Sequence, residues 1–217
     1  MGFVTNVCLL DSPPVVGGWA PTLFDAVAPV AGASSPTRVD LGAGAWLDVA
    51  PGFLAGAAPV FDDVLASVAW QAQTRPMYDR IVAVPRLLGV ARDQSGLHPA
   101  LADVGAALDH HYGVHFHHVS YALYRDGADS VAPHGDTVDD AAGDPNVAIL
   151  SLGAPRRFVV TPVDAGAARG TRVTVHSGDL VVMGGRIQRT HRHGVPKLAA
   201  AGPRLAVMFR HGRVLEP

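Results

Sequence analysis

The stretch that most constrains this chain is Tyr121 to Asp136, YALYRDGADSVAPHGD, which ends in His134-Gly135-Asp136. In extended backbone, residues i and i+2 project to the same side, so an imidazole nitrogen and a carboxylate oxygen converge on one point. Two donors do not make a metal site, and a third has to come from farther along. The segment Arg189-Thr190-His191-Arg192-His193-Gly194-Val195-Pro196 offers two histidines, and Arg204-Leu205-Ala206-Val207-Met208-Phe209-Arg210 follows it. Two histidines and one carboxylate form the facial triad that holds Fe(II) with about three octahedral positions open, room for a bidentate 2-oxo acid and dioxygen. Arg204 and Arg210 lie six positions apart, an even number, so both face one side of a strand, while Leu205, Val207 and Phe209 face the other. A guanidinium fork is the natural clamp for a dicarboxylate such as 2-oxoglutarate. A His-x-Asp pair alone is common. The full order of His-x-Asp, His and two spaced arginines is far harder to reach by accident.

The 217 residues suit one domain with a substantial core. Apolar content of 48% against 17% charge describes a globular chain rather than a disordered one. A net charge of −2 and a pI near 6.6 do not mark a nucleic-acid binder overall. The distribution is less even: Arg186, Arg189, Arg192, Lys197, Arg204, Arg210 and Arg213 follow one another with no acid between them. That run reads either as clamps plus solvated edge residues or as a basic rim for phosphates. The lone cysteine, Cys8, excludes an intramolecular disulfide and suits a reducing cytoplasm. The opening MGFVTNVCLL reads as neither a signal peptide nor a membrane span. A cytoplasmic monomer without membrane attachment is expected.

Residues 1–44, rich in Gly, Pro and Ala, read as a loosely structured arm with one short helix near 24–28, ahead of a domain over 45–217. The spacing predicts a strand at 45–49, an amphipathic helix over 60–73, a strand at 81–87 and a second helix over 97–111. After Gly113 the pattern changes to short strands at 114–125, 147–152, 157–162, 171–176, 179–184 and 204–211, separated by Gly and Asp-Gly breakers. The expected fold is mainly β with flanking helices, a double-stranded β-helix (jelly roll) behind an N-terminal helical and strand extension.

The segments WLDVAPGFL, MYDRIVAVPRL, LYRDGADSVAPHGD, VAILSLGAPRRF, GDLVVMGGRIQRTHRHGVPK and PRLAVMFR, in that order, resemble the AlkB-like 2-oxoglutarate and Fe(II)-dependent dioxygenases from about Trp46 to Arg210. The resemblance implies that His134, Asp136 and His193 ligate iron, His193 rather than His191 because it directly precedes Gly-Val-Pro. His191 is then an exposed neighbour on the same rim. The resemblance further implies that Tyr124 and Arg204 bind 2-oxoglutarate and that Arg210 is the second arginine of the site. The implied reaction, with dioxygen as cosubstrate, oxidises an N-methyl group on a damaged base. The hydroxymethyl product releases formaldehyde, with succinate and CO2 as coproducts. Methylated DNA or RNA, single-stranded by preference, is the implied partner.

Four departures bear on substrate choice. Ala122 stands where the family has Asn, Ala206 and Met208 replace Asn and Thr, Val138 replaces an acid that reads the base, and Leu87 to Asp93 lacks lid aromatics. An enzyme acting on a flipped base stacks it on something; Tyr78, Trp70 and His98 are the aromatic candidates, with Trp70 better read as core. Tyr78, Arg86, Val138 and Arg157 are the candidate substrate residues. His115 and His117 share a face and read as surface residues rather than a second metal site, and Arg156 and Arg157 read as flanking a strand end, with contact to a phosphate as the alternative. The competing expectations are an oxygenase acting on a small molecule or protein side chain, and a non-catalytic binding module on the same fold.

Overall fold

The computed structural model describes residues 28–77, 80–91, 96–138, 143–164, 170–212 and 214–215. In chain order these form β1 (Val30–Ala31), β2 (Thr37–Gly42), β3 (Ala45–Ala50), β4 (Leu54–Ala55), α1 (Ala57–Ser67), β5 (Gln71–Met77) and β6 (Arg80–Ala91). Then come α2 (Pro99–Tyr112), β7 (His118–Tyr124), β8 (Val131–His134), β9 (Thr137–Val138), β10 (Val147–Gly153), β11 (Arg156–Pro162) and β12 (Thr171–Val175). β13 (Leu180–Gly185), α3 (Ile187–Thr190), β14 (His191–Val195), β15 (Arg204–Arg210) and β16 (Val214–Leu215) complete the order. The larger sheet runs β2-β3-β13-β10-β15-β7-β6-β5 and the smaller β12-β11-β14-β8. From β7 onward the chain passes repeatedly between them. β7, β10, β13 and β15 lie in the large sheet, and β8, β11, β12 and β14 in the small one, all in antiparallel pairs. This is the jelly roll that the short strands and turn signals imply.

Period-two alternation divides the side chains between two cores. On β10, Ala148, Leu150 and Leu152 pack with Val60 and Val64 of α1 and Leu101, Val104 and Leu108 of α2. Val147 and Ile149 point the other way, into the roll, with Phe158, Val160 and Val195. β15 divides likewise: Leu205, Val207 and Phe209 join the helix-side core, and Ala206 joins the inner one. The inward parity of β15 therefore carries Arg204 and Arg210 into the roll. Strands buried on both faces read as near-continuous apolar runs, which is how VAILSL reads.

Several local expectations shift. α1 stops at Ser67, and Val68 is already extended at φ −79, ψ 132. The apolar spacing continues past the helix because Val68 and Trp70 still pack on the helix-side core. Trp70 donates its indole N–H to the Leu65 carbonyl at 2.9 Å and meets Tyr121 edge-on at 6.4 Å. α2 begins at Pro99 with His98 as N-cap, whose Nδ1 accepts from the Ala100 N–H at 3.2 Å, and ends at Gly113, φ 65. His98 is thus a helix cap rather than a stacking platform. The segment 28–44 carries β1 and β2, and β2 extends the large sheet along β3. Cys8 and nearly all of the short helix expected near 24–28 lie outside the described residues. No described helix is long and apolar enough to cross a membrane.

Candidate active site

β8 and β14 are antiparallel neighbours with His134 directly opposite His193, which brings together residues far apart in sequence. Their rings are 4.4 Å apart, and Asp136 lies just beyond the end of β8 with Oδ1 3.8 Å from His134 Nε2. One donor atom from each of His134, Asp136 and His193 lies within 4.8 Å of the others, the one grouping of this kind among the described residues. Each donor is held from behind. His134 Nδ1 sits 3.0 Å from the Ala132 carbonyl, so the nitrogen that donates there leaves Nε2 with its lone pair free. The Asp136 backbone N–H donates to Gln188 Oε1 at 2.9 Å, and Asp136 Oδ2 is buried with no hydrogen-bond partner. Burial pushes the His193 imidazole down to about 4, against the pull of Asp136; at neutral pH it is uncharged, the state a metal requires. An orphaned buried carboxylate oxygen beside two imidazoles fits a divalent cation.

The glycines in the two motifs are dictated by crowding. A Cβ on Gly135 would lie 2.7 Å from the Gln188 carbonyl oxygen and 3.0 Å from Arg192 Nη1. A Cβ on Gly194 would lie 2.8 Å from the Val131 carbonyl oxygen. The β8–β14 approach that sets the site therefore tolerates no side chain at either place.

Along the inner wall, Arg210 donates from Nη1 to Ser120 Oγ at 2.5 Å and holds Nε 4.0 Å from Asp136 Oδ2. At the other end of β15, Arg204 is 1% exposed. Its Nη2 donates to Ser151 Oγ at 2.8 Å, its guanidinium carbon lies 5.1 Å from the centre of the Tyr124 ring, and its Nε has no partner. Burial lowers the guanidinium's pKa, with Tyr124 opposing that shift. A buried cation with a spare donor and no carboxylate bonded to it is suited to an anionic ligand, and the distal carboxylate of 2-oxoglutarate is such a group.

The structure thus gathers His134, Asp136, His193, Arg210, Arg204 and Tyr124 into the roll. His191 departs from expectation: it is 4% exposed rather than on an open rim, its Nδ1 lies 2.8 Å from Thr190 Oγ1, and it does not join the donor group. Arg157 is exposed on β11, on the face opposite Phe158 and the roll interior. Arg86 is half-buried on β6 and shares parity with Leu88, which packs against the inner core. Val138 lies on β9, paired with Val214 of β16, and Tyr78 lies outside the described residues. Exposed His115 pairs with Asp109 at 2.6 Å, and among the described residues His115 and His117 belong to no metal-donor group. The basic run is divided: Arg204 and Arg210 turn inward, Arg189 pairs with Asp144 at 2.8 Å, and Arg213 is not described. Sequence reading passed over Gln188, Ser120 and Ser151. Ser120 had a usable signal, because it shares inward parity with Tyr124 on β7; Ser151 shares its face with the apolar Val147 and Ile149 and had none.

The profile of the 2OG-Fe(II) oxygenase superfamily matches residues 68–214. The chain belongs to that superfamily. Its cofactors are accordingly Fe(II) and 2-oxoglutarate. This oxygenase is 28% identical over 182 residues to alpha-ketoglutarate-dependent dioxygenase alkB homolog 3 of Bos taurus, covering 74% of this chain and 64% of that one. It is 27% identical over 150 residues to the Homo sapiens protein of the same name, covering 65% and 50%. The chain therefore spans less than two thirds of the length of these curated relatives. The structure of OsALKBH1 superposes with a TM-score of 0.58 at 14% identity, covering 81% of this chain and 100% of that one. An oxidoreductase of the 2OG-Fe(II) oxygenase family from Burkholderia pseudomallei superposes at 0.51 and 16% identity, covering 76% and 84%. At these identities the structural likeness is one of fold.

Proposed function

We propose that this oxygenase is an oxidative demethylase of alkylated bases in DNA or RNA, acting on single strands by preference and releasing formaldehyde, succinate and CO2. The observation that carries the reading is that the motif run resembling the AlkB-like enzymes closes into one site. His134, Asp136 and His193 would hold the metal, and Arg204, Tyr124 and Arg210 would hold the cosubstrate. The sequence similarity to two proteins named alkB homolog 3 supports the same class. When bound, Fe(II) and 2-oxoglutarate supply the oxidising chemistry, with decarboxylation of the 2-oxo acid. The chain's own work is positional. The Ala132 carbonyl fixes the ring of His134, and Gln188 fixes the backbone of Asp136. Ser120 holds Arg210 against the carboxylate side, and Ser151 holds Arg204 at the far end of the pocket. The apolar wall of Val147, Ile149, Phe158 and Val160 keeps water from the deep side of the site.

A second reading, oxygenation of a small molecule or a protein side chain, is favoured by the division of the basic run, which leaves fewer cations for phosphates than the sequence suggests. One experiment separates the two. Protein reconstituted anaerobically with Fe(II), 2-oxoglutarate and ascorbate is given oxygen and a short single-stranded oligonucleotide carrying 1-methyladenine, with His134→Ala as the blank. Loss of the methyl mass with wild type alone supports demethylation. Succinate without demethylation moves the substrate to the second class.

A further inference from the structure

Arg156 starts β11 on the inward parity of Phe158 and Val160. It is 1% exposed, so it is no surface flank of a strand end. Its Nη2 donates to the backbone carbonyls of Asp126, at 2.5 Å, and Gly202, at 3.2 Å. These carbonyls place it: Asp126 follows Tyr124 by two residues and Gly202 precedes Arg204 by two. Tyr124 and Arg204 are themselves cross-strand partners, and Arg204 also pairs with Gly153 of β10. Arg156 therefore closes the same end of the roll that Arg204 and Tyr124 line. Its Nε and Nη1 are buried and have no hydrogen-bond partner; Asp126 and Asp129 lie near enough to favour its charge, but neither carboxylate is hydrogen-bonded to it.

Two buried guanidinium N–H groups without an acceptor are costly unless a ligand meets them. Arg204, at the same end, also has an unpartnered buried Nε. The neighbouring inward positions, Ala122 and Ala206, stand opposite each other on β7 and β15 and contribute no polar atom. Two arginines with spare donors thus share one end of the roll, beside two positions that carry no side-chain amide.

We propose that Arg156 is a second guanidinium for the distal carboxylate of 2-oxoglutarate, completing with Arg204 a paired clamp at the closed end of the roll. Arg204 reaches the carboxylate from β15 and Arg156 from β11, so the two sheets grip it from opposite sides. The clamp selects 2-oxo acids with a second carboxylate, because a ligand without one leaves the spare N–H groups of both guanidiniums without an acceptor.

The test compares two ligands that differ only at that end. Binding of 2-oxoglutarate and of 2-oxopentanoate to the Mn(II)-loaded full chain is measured by titration calorimetry for wild type, Arg156→Met and Arg156→Lys. Arg156→Met is expected to weaken 2-oxoglutarate by about tenfold or more and leave 2-oxopentanoate unchanged or tighter. Arg156→Lys, which keeps the charge and loses the fork, is expected to fall between. Equal weakening of both ligands, or of neither, would show that Arg156 only ties the Asp126 and Gly202 loops together and would overturn the proposal. If Arg156→Met does not fold, the same ratio read with Arg156→Lys decides it. No nucleic acid enters the measurement, so its outcome is separate from that of the demethylation assay.

Discussion

At the scale of single residues, the metal donors are set by groups that carry no motif of their own. Gln188 is 5% exposed and accepts the Asp136 N–H, which fixes the loop that presents the carboxylate. Gln188→Ala is expected to weaken Mn(II) or Fe(II) binding about 10–100-fold, the usual effect of losing a group that orients a ligand, with the fold retained; a metal titration measures it. His193 makes a second prediction. Its folded pKa of about 4 lies below the ordinary 6.5, so the unfolded chain takes up the proton first. The His193 contribution is constant above pH 6.5, and stability falls as pH drops from 6.5 towards 4. The loss reaches at most about 3 kcal/mol. Urea unfolding of the metal-free protein at pH 7 and pH 4.5 checks this, and His193→Gln should show a shallower pH dependence.

At the scale of elements, legibility followed how strongly the sequence pattern expressed burial. The central strands β7, β10, β13 and β15 were readable because both faces are buried, and α2 because its apolar face and closing Gly113 agree. β14 was hidden because His191-Arg192-His193-Gly194 carries no β-forming run; its extended shape is imposed by pairing with β11 and β8. β5 was hidden for the opposite reason: QAQTRPM is polar and holds a proline, tolerated because the strand is at a sheet edge. The apolar spacing of α1 ran on into Val68 and Trp70, so the helix seemed longer than it is. The candidate site was more legible than the strands around it. His134, Asp136, Arg204 and Arg210 stood out by spacing and side-chain chemistry. His191 and His193 could not be separated by spacing, because both share one parity, and the resemblance was needed to choose. Arg156 was misread because its neighbour Arg157 gave the pair the look of a solvated edge, and only strand parity separates them.

At the scale of the whole molecule, β2 is fastened to the jelly roll by a buried carboxylate. Asp48 on β3 is 3% exposed and accepts three hydrogen bonds from two side chains. Arg38 of β2 donates from Nε and Nη2 to its two oxygens, both at 2.8 Å. Tyr112 at the end of α2 donates its hydroxyl to Oδ2 at 3.0 Å. The Arg38 guanidinium also lies 3.7 Å from the centre of the Trp46 ring, and Trp46 stacks on Tyr112 at 6.0 Å. Edge strand, inner strand and helix thus share one polar contact on the large sheet, away from the residues that line the site. Removing Arg38 leaves Asp48 buried with a single hydroxyl donor, a state that costs about 1–3 kcal/mol. Arg38→Met keeps an apolar stem and removes the charge, the fork and the guanidinium contact with Trp46. It is expected to lower the thermal midpoint by roughly 2–12 °C with metal affinity unchanged, and a chain starting at residue 45 should fall at least as far. Thermal unfolding beside a Mn(II) titration tests both. An equal loss of metal binding in Arg38→Met would mean that β2 and the site are coupled through the sheet and do not answer to separate contacts.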